Sequence, residues 1–243
     1  MIEDSDPVAV KLDPEFLAKR REVEDAERRR RISNALDLWH HETVPAGNTL
    51  VETYLWSRLC MIDLPPTIRL HWSLWHRESR QRRPAMIGLV EHAEFGSVGI
   101  HATYLCVDGS AKASLNPVRK SFGPIRGGAV RLTALRGDGS PLIVGEGIET
   151  TLSVMFSTGL AGWAALSAAG ITQLVLPPEA RRVIIAADND MNGAGQNAAC
   201  RAAARFTREG RSVRLAMPPA PGLDFNDLLF ERVPNFSAYR AAR

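Results

Sequence analysis

Apolar positions divide the chain into three regions. In the first, Ile32, Ala35, Leu36 and Trp39 recur at helical spacing after a stretch dominated by charge. This pattern predicts one helix over residues 13–43, with Asp13 as its cap and Pro14 in its first turn. Its later half should dock, while its earlier half, which carries Lys19-Arg20-Arg21 and the run Arg28 to Arg31, stays in solvent. The break Val44-Pro45-Ala46-Gly47-Asn48 opens the second region. A short helix is expected over 50–59, a turn at Leu64-Pro65-Pro66, and then β-like segments over 68–72, 85–91, 98–105 and 129–132. The third region alternates strands at 142–144, 162–166, 183–187 and 213–217 with helices at 149–158, 171–176, 193–208 and 225–231. Such alternation with short connections implies a parallel sheet covered by helices on both faces. The expected division is residues 1–47, 48–138 and 139–243.

Composition adds limits rather than an answer. The 243 residues are 45% hydrophobic and 23% charged, an ordinary globular balance with enough chain for a sizeable core. No apolar run approaches the roughly 20 residues that span a bilayer, and residues 1–11 are too polar for a secretory signal. Cys60, Cys106 and Cys200 are widely separated, so no zinc is expected in this chain and a reducing cytoplasm is.

Charge is unevenly placed. Residues 67–136 hold 11 Lys/Arg against 4 Asp/Glu, a balance of +7, and the remainder sums to −4. Trp72, Trp75 and Tyr104 lie among Arg69, Arg77, Arg80, Arg82 and Arg83 in that basic middle. Aromatic rings beside arginines can stack bases and hold phosphates; buried tryptophans behind a solvated basic loop are the plainer alternative.

Acids mark the third region. Six of the ten acids in residues 137–243 lie just past predicted strand ends: Glu146 and Glu149, Asp188 and Asp190, Asp224 and Asp227. In an open parallel α/β sheet those ends form one crevice, where ligands bind. Gathered carboxylates repel one another unless a cation lies between them, and hard oxygen ligands suit Mg²⁺ or Mn²⁺. Gly145-Glu146-Gly147 contains a GxG, but the rest of a dinucleotide fingerprint is missing and no GK[ST] follows. Nicotinamide-type and P-loop readings are thereby rejected.

Val144-Gly145-Glu146-Gly147, Asp188-Asn189-Asp190 and Asp224-Phe225-Asn226-Asp227 resemble the Toprim domain shared by DnaG-type primases, topoisomerases and certain nucleases. The stretch from Asp188 through Asn192-Gly193-Ala194-Gly195 to Ala198 is similar to the primase form. Primases often carry an acid four residues after the glutamate; here Thr150 stands there, and Glu149 lies one position earlier. The preceding segment resembles primases of phages, plasmids and integrated elements through Tyr54 to Arg58, Pro84-Ala85-Met86, His101 to Leu105, Asp108-Gly109, Lys112-Ala113, Lys120 and Gly127 to Leu132.

The resemblance implies a Rossmann-like Toprim domain, preceded by a basic α+β subdomain and an N-terminal helix. It implies a nucleotidyltransferase that makes RNA primers on single-stranded DNA from nucleoside triphosphates during replication of a mobile element or phage. Glu146, Asp188 and Asp190 are its expected catalytic residues, and with Asp224 they are its expected Mg²⁺ or Mn²⁺ ligands. Arg77, Arg82, Arg83, Lys112, Lys120 and Arg131 are candidates for nucleotide or nucleic-acid phosphates. A helicase or zinc-domain partner is expected, a membrane is not. The rival readings are a Toprim metal-dependent nuclease and a non-catalytic nucleic-acid-binding accessory factor.

Overall fold

The structure is a computed structural model that describes residues 13–58, 63–189, 191, 193–223, 225 and 227–228. Helix α1 (Pro14–His41) starts where Asp13 accepts a hydrogen bond from the Glu15 amide at 2.9 Å. Only Ala35 and Trp39 on it are buried, so the docked half is the one the apolar spacing marks. They join Leu74, Ile87, Ile100 and Tyr104 in one core cluster. Within the four-arginine run, Arg28 lies over the Phe95 ring at 4.5 Å.

The expected break contains a two-residue strand, β1 (Val44–Pro45), followed by α2 (Leu50–Ser57). Proline lacks an N–H to donate, and β1 occupies a sheet edge where this is tolerated. Strands β2 (Ile68–His76), β3 (Gln81–His92) and β4 (Gly96–Tyr104) form an antiparallel meander and run longer than their apolar cores indicate. A register shift between His71 and Leu74 marks a bulge in β2. Strand β5 (Arg119–Phe122) pairs with β4 and is unannounced in sequence, because Arg-Lys-Ser-Phe has no apolar run.

Strand β6 (Ala129–Arg131) joins the two halves. It pairs with β3 on one side and with β8 (Ala161–Ala164) on the other, antiparallel in both cases. From there the sheet is parallel, in the order β8, β7 (Leu142–Gly145), β9 (Arg182–Ala186) and β10 (Ser212–Ala216). The basic and acidic regions therefore share one continuous sheet.

Helix α3 (Ile148–Thr158) covers one face through Ile148, Leu152 and Met155, which pack with Ile143, Ala164 and Ala186. On the other face α4 (Ala168–Gln173) and α5 (Ala194–Arg208) pack Ile171, Ala199, Ala202 and Phe206 against Val144, Trp163 and Ile185. Each fully buried aliphatic side chain in these layers contributes about 1.5–3 kcal/mol. Helix α4 begins earlier than its apolar residues suggest, because Ser167 caps it by accepting from the Gly170 amide at 2.9 Å. Leu174 and Leu176 remain in the core but outside the helix. Gly210, at φ +84°, lets the chain turn after α5 so that the Arg211 amide reaches Phe206 O at 3.0 Å. Among the described residues no helix is long and apolar enough to cross a membrane.

Candidate active site

Adjacent parallel strands β7 and β9 pair Gly145 with Ala186, so their C-terminal ends lie side by side. Glu146 leaves the first and Asp188 the second, and both are half-buried. Only glycine fits at position 145, because a Cβ there would stand 2.3 Å from Thr151 Oγ1. The missing side chain lets α3 start directly against the strand end. The Thr151 hydroxyl in turn donates to Gly147 O at 2.7 Å. In the same first turn the Thr150 hydroxyl donates to Asp188 Oδ1 at 3.3 Å.

Asn189 fixes the turn beyond Asp188. Its amide donates to Pro218 O at 2.9 Å, its side-chain carbonyl accepts from Gln196 at 2.7 Å, and its backbone carbonyl accepts from the Gly222 amide at 2.6 Å. One residue thus ties the end of β9 to α5 and to the loop after β10. Within the Asp188-Asn189-Asp190 motif it is a structural residue that spacing alone did not single out. Asp190 and Asp224, two of the expected metal ligands, lie outside the described residues. Among the described residues, no three His, Cys, Asp or Glu side chains gather closely enough to form a metal cage.

Glu149 faces the basic region. It is 4% exposed, and its Oε1 accepts from the Tyr54 hydroxyl at 2.6 Å and meets Lys112 Nζ at 3.0 Å. Arg119 Nη2 lies 3.6 Å from Oε2. Burial pushes this carboxyl up, but Lys112, Arg119 and the Tyr54 hydrogen bond together outweigh burial and hold it at about 2. The Tyr54 phenol is shifted upward, first by burial and then by the neighbouring carboxylate. His101 is pushed down to about 4 by burial and by Arg119, and its Nδ1 lies 2.9 Å from Ser121 Oγ. Tyr54 and Glu149 are 95 residues apart in sequence. No local pattern reports such a pairing, and Arg119 gave no signal in sequence beyond its charge.

The expected phosphate-contacting cations separate. Lys112 stands beside α3, in the cluster just described. Lys120 is ion-paired with Glu78. Arg82 donates to Ser73 O at 2.9 Å and lies 5.9 Å from the centre of the Trp75 ring, bracing the bulge of β2. Arg77 is exposed and Arg83 half-buried on the same hairpin, where Trp72 and Trp75 are 57% and 47% exposed. The buried-tryptophan alternative therefore fails for this pair. Arg131 lies 4.4 Å over the Trp163 ring, on the sheet face that carries α4 and α5, opposite the one covered by α3.

Comparison with known proteins agrees with this architecture. The Toprim domain family matches residues 141–234, and a domain of unknown function (DUF7146) matches residues 29–132. No curated protein matches the chain in sequence. A DnaG primase catalytic domain bound to single-stranded DNA superposes with a TM-score of 0.52 at 17% identity, covering 89% of this chain and 81% of that one. A DnaG catalytic core gives 0.51 at 18% identity, with coverages of 90% and 77%. The zinc-binding and RNA polymerase domains of Aquifex aeolicus primase give 0.51 at 17% identity, with coverages of 95% and 62%. The chain carries a C-terminal Toprim domain, and its overall fold is that of DnaG-type primase catalytic cores.

Proposed function

We propose that the protein is a primase-type nucleotidyltransferase that extends RNA on a single-stranded DNA template using nucleoside triphosphates. The observation that carries this reading is the first turn of α3. Thr150 there reaches Asp188, at the acidic strand ends, and Glu149 beside it gathers Lys112 and Arg119 from the basic region. Acids for metal-assisted chemistry and cations for phosphates thus border one helical turn.

Half-buried carboxylates at neighbouring strand ends are hard oxygen donors suited to Mg²⁺ or Mn²⁺. Glu146 and Asp188, with Asp190 and Asp224 from the same motifs, would hold it. When bound, such an ion orients the attacking 3′-hydroxyl and neutralises charge on the leaving pyrophosphate. In this reading Glu146 is a metal ligand or the general acid–base, Thr150 bonds Asp188, and Asn189 holds the turn beyond it. Lys112 and Arg119 attract the triphosphate. The exposed tryptophans and arginines of the β2–β3 hairpin track the template through stacking and phosphate contacts. In this reading the division at residues 47 and 138 separates a helical extension, a template-handling subdomain and the Toprim domain. A zinc-domain or helicase partner would assist initiation.

The test is one gel assay with purified protein, single-stranded DNA, Mg²⁺ and labelled triphosphates. New primers support the proposal. A shortened template instead identifies a nuclease, and bound but unchanged DNA an accessory factor.

A further inference from the structure

We propose that Glu149 is a positioning residue: its carboxylate, buried where α3 meets the basic region, fixes the Lys112 ammonium and the Arg119 guanidinium as a paired binding edge for the polyphosphate of an incoming nucleotide. The identity of that polyanion rests on the nucleotidyltransferase reading; the geometry of the pair does not.

Three observations carry the assignment. First, both Glu149 oxygens already face donors, Oε1 the Tyr54 hydroxyl and Lys112, and Oε2 Arg119. An acid committed to two cations is poorly disposed to bind a third, so Glu149 differs in role from Glu146 and Asp188 despite following the same strand as Glu146. Second, exposure is asymmetric. The Glu149 side chain is 6% exposed, whereas those of Lys112 and Arg119 are 31% and 42% exposed. The anion is inside and the cations reach the surface, where an ammonium with three donors and a guanidinium with five can serve more than one acceptor. A buried ion cluster is weak evidence for stability, because apolar packing of equal volume often does as well. One that holds two cations at the surface beside a catalytic crevice has a use that apolar packing cannot supply. Third, the next residue, Thr150, bonds Asp188, so the cation pair is fixed relative to the acids through one turn of helix.

A bare-charge account and the positioning account differ in sign. Removing a negative charge beside two cations should tighten binding of a polyanion if only net charge matters. If Glu149 holds the cations in place, binding should weaken, because two neighbouring cations without their anion move apart. The experiment measures binding of tripolyphosphate by calorimetry to the full chain and to Glu149→Gln, Lys112→Met, Arg119→Met and the Glu149→Gln/Lys112→Met double variant. Melting temperatures are recorded for each.

Wild type is expected to bind. Glu149→Gln should lose about threefold or more in affinity, the scale of one ordered ion pair. The double variant should lose little beyond Lys112→Met, the non-additivity of residues that act through one another. Equal or tighter binding by Glu149→Gln overturns the proposal, as does full additivity. A purely structural role moves the melting temperature and leaves the affinity of the folded protein alone. Should Glu149→Gln fail to fold, Arg119→Met and Tyr54→Phe decide: unchanged affinity in both overturns the assignment. Wild type that binds tripolyphosphate but adds no nucleotide refutes the proposed function and leaves this inference standing.

Discussion

The Thr150 hydroxyl lies 3.3 Å from Asp188 Oδ1 and so joins the first turn of α3 to the end of β9. The primase pattern often has an acid at this position, where a neutral donor stands here. Thr150→Asp should therefore set a second carboxylate against Asp188. Like charges at this range disfavour each other until a cation bridges them. The melting temperature in chelator should fall, and the rise on adding Mg²⁺ should become larger than in wild type, since binding to the native state stabilises it by mass action. Thermal scans with and without Mg²⁺ check this. An unchanged Mg²⁺ response would mean that residue 150 is remote from the ion.

The metal assignment itself predicts that Asp188→Ala and Asp190→Ala abolish nucleotide addition while leaving a folded protein. Asp188 is half-buried at a strand end rather than in the core. Its loss should change stability in chelator by about 1–3 kcal/mol, the range of a hydrogen bond to a charged group, and leave the fold intact. The Mg²⁺-dependent rise in melting temperature should vanish in both variants. A rise that persists in both removes these residues from the ion.

Nucleic-acid binding should depend on the β2–β3 hairpin. Trp72 is 57% exposed and Arg77 is exposed on the same hairpin, whereas Arg82 also supports the backbone through Ser73 O and makes a poorer probe. Trp72→Ala should weaken single-stranded DNA binding by about 1–3 kcal/mol if a base stacks there. Arg77→Glu should reduce the salt slope of binding by about one, the share of a single neutralised phosphate. Titrations at several salt concentrations separate the two effects. Parent-like affinity and slope in both variants would move the template path elsewhere.

How far the sequence foretold this structure depended on the range of the interactions. Val183 to Ala187, the alanine-rich helix and its Gly210 stop are local patterns, and they form where expected. Glu146 and Asp188, just past the ends of β7 and β9, were legible for the same reason, because a parallel sheet aligns its ends. β5 was hidden, since its pairing with β4 rather than any apolar run makes it a strand. Glu149 was hidden more deeply. Its nearness to Glu146 placed it among the strand-end acids, but its surroundings come from Tyr54, Lys112 and Arg119, far away in sequence.

Those surroundings give stability a pH dependence in two separate windows. Glu149 is depressed from 4.5 to about 2 in the fold, so its contribution is complete above pH 4.5 and is lost as pH falls toward 2. His101 is depressed from 6.5 to about 4, so the folded protein favours its neutral form. Its contribution is complete above pH 6.5 and is lost as pH falls toward 4, because the unfolded chain takes up the proton first. Each shift of this size corresponds to about 3 kcal/mol, which makes the two windows resolvable by denaturant titration. His101→Gln should flatten the loss between pH 6.5 and 4 and leave the lower window in place. Glu149→Gln should remove its own contribution from the lower window, and it should also carry the His101 loss further below pH 4. The Glu149 carboxylate favours protonated His101 while Arg119 opposes it, so removing the acid leaves the repulsion unanswered and pushes His101 further down. Stability curves for wild type and His101→Gln that fall in parallel from pH 6.5 to 4 would show that the buried imidazole is not the group responsible.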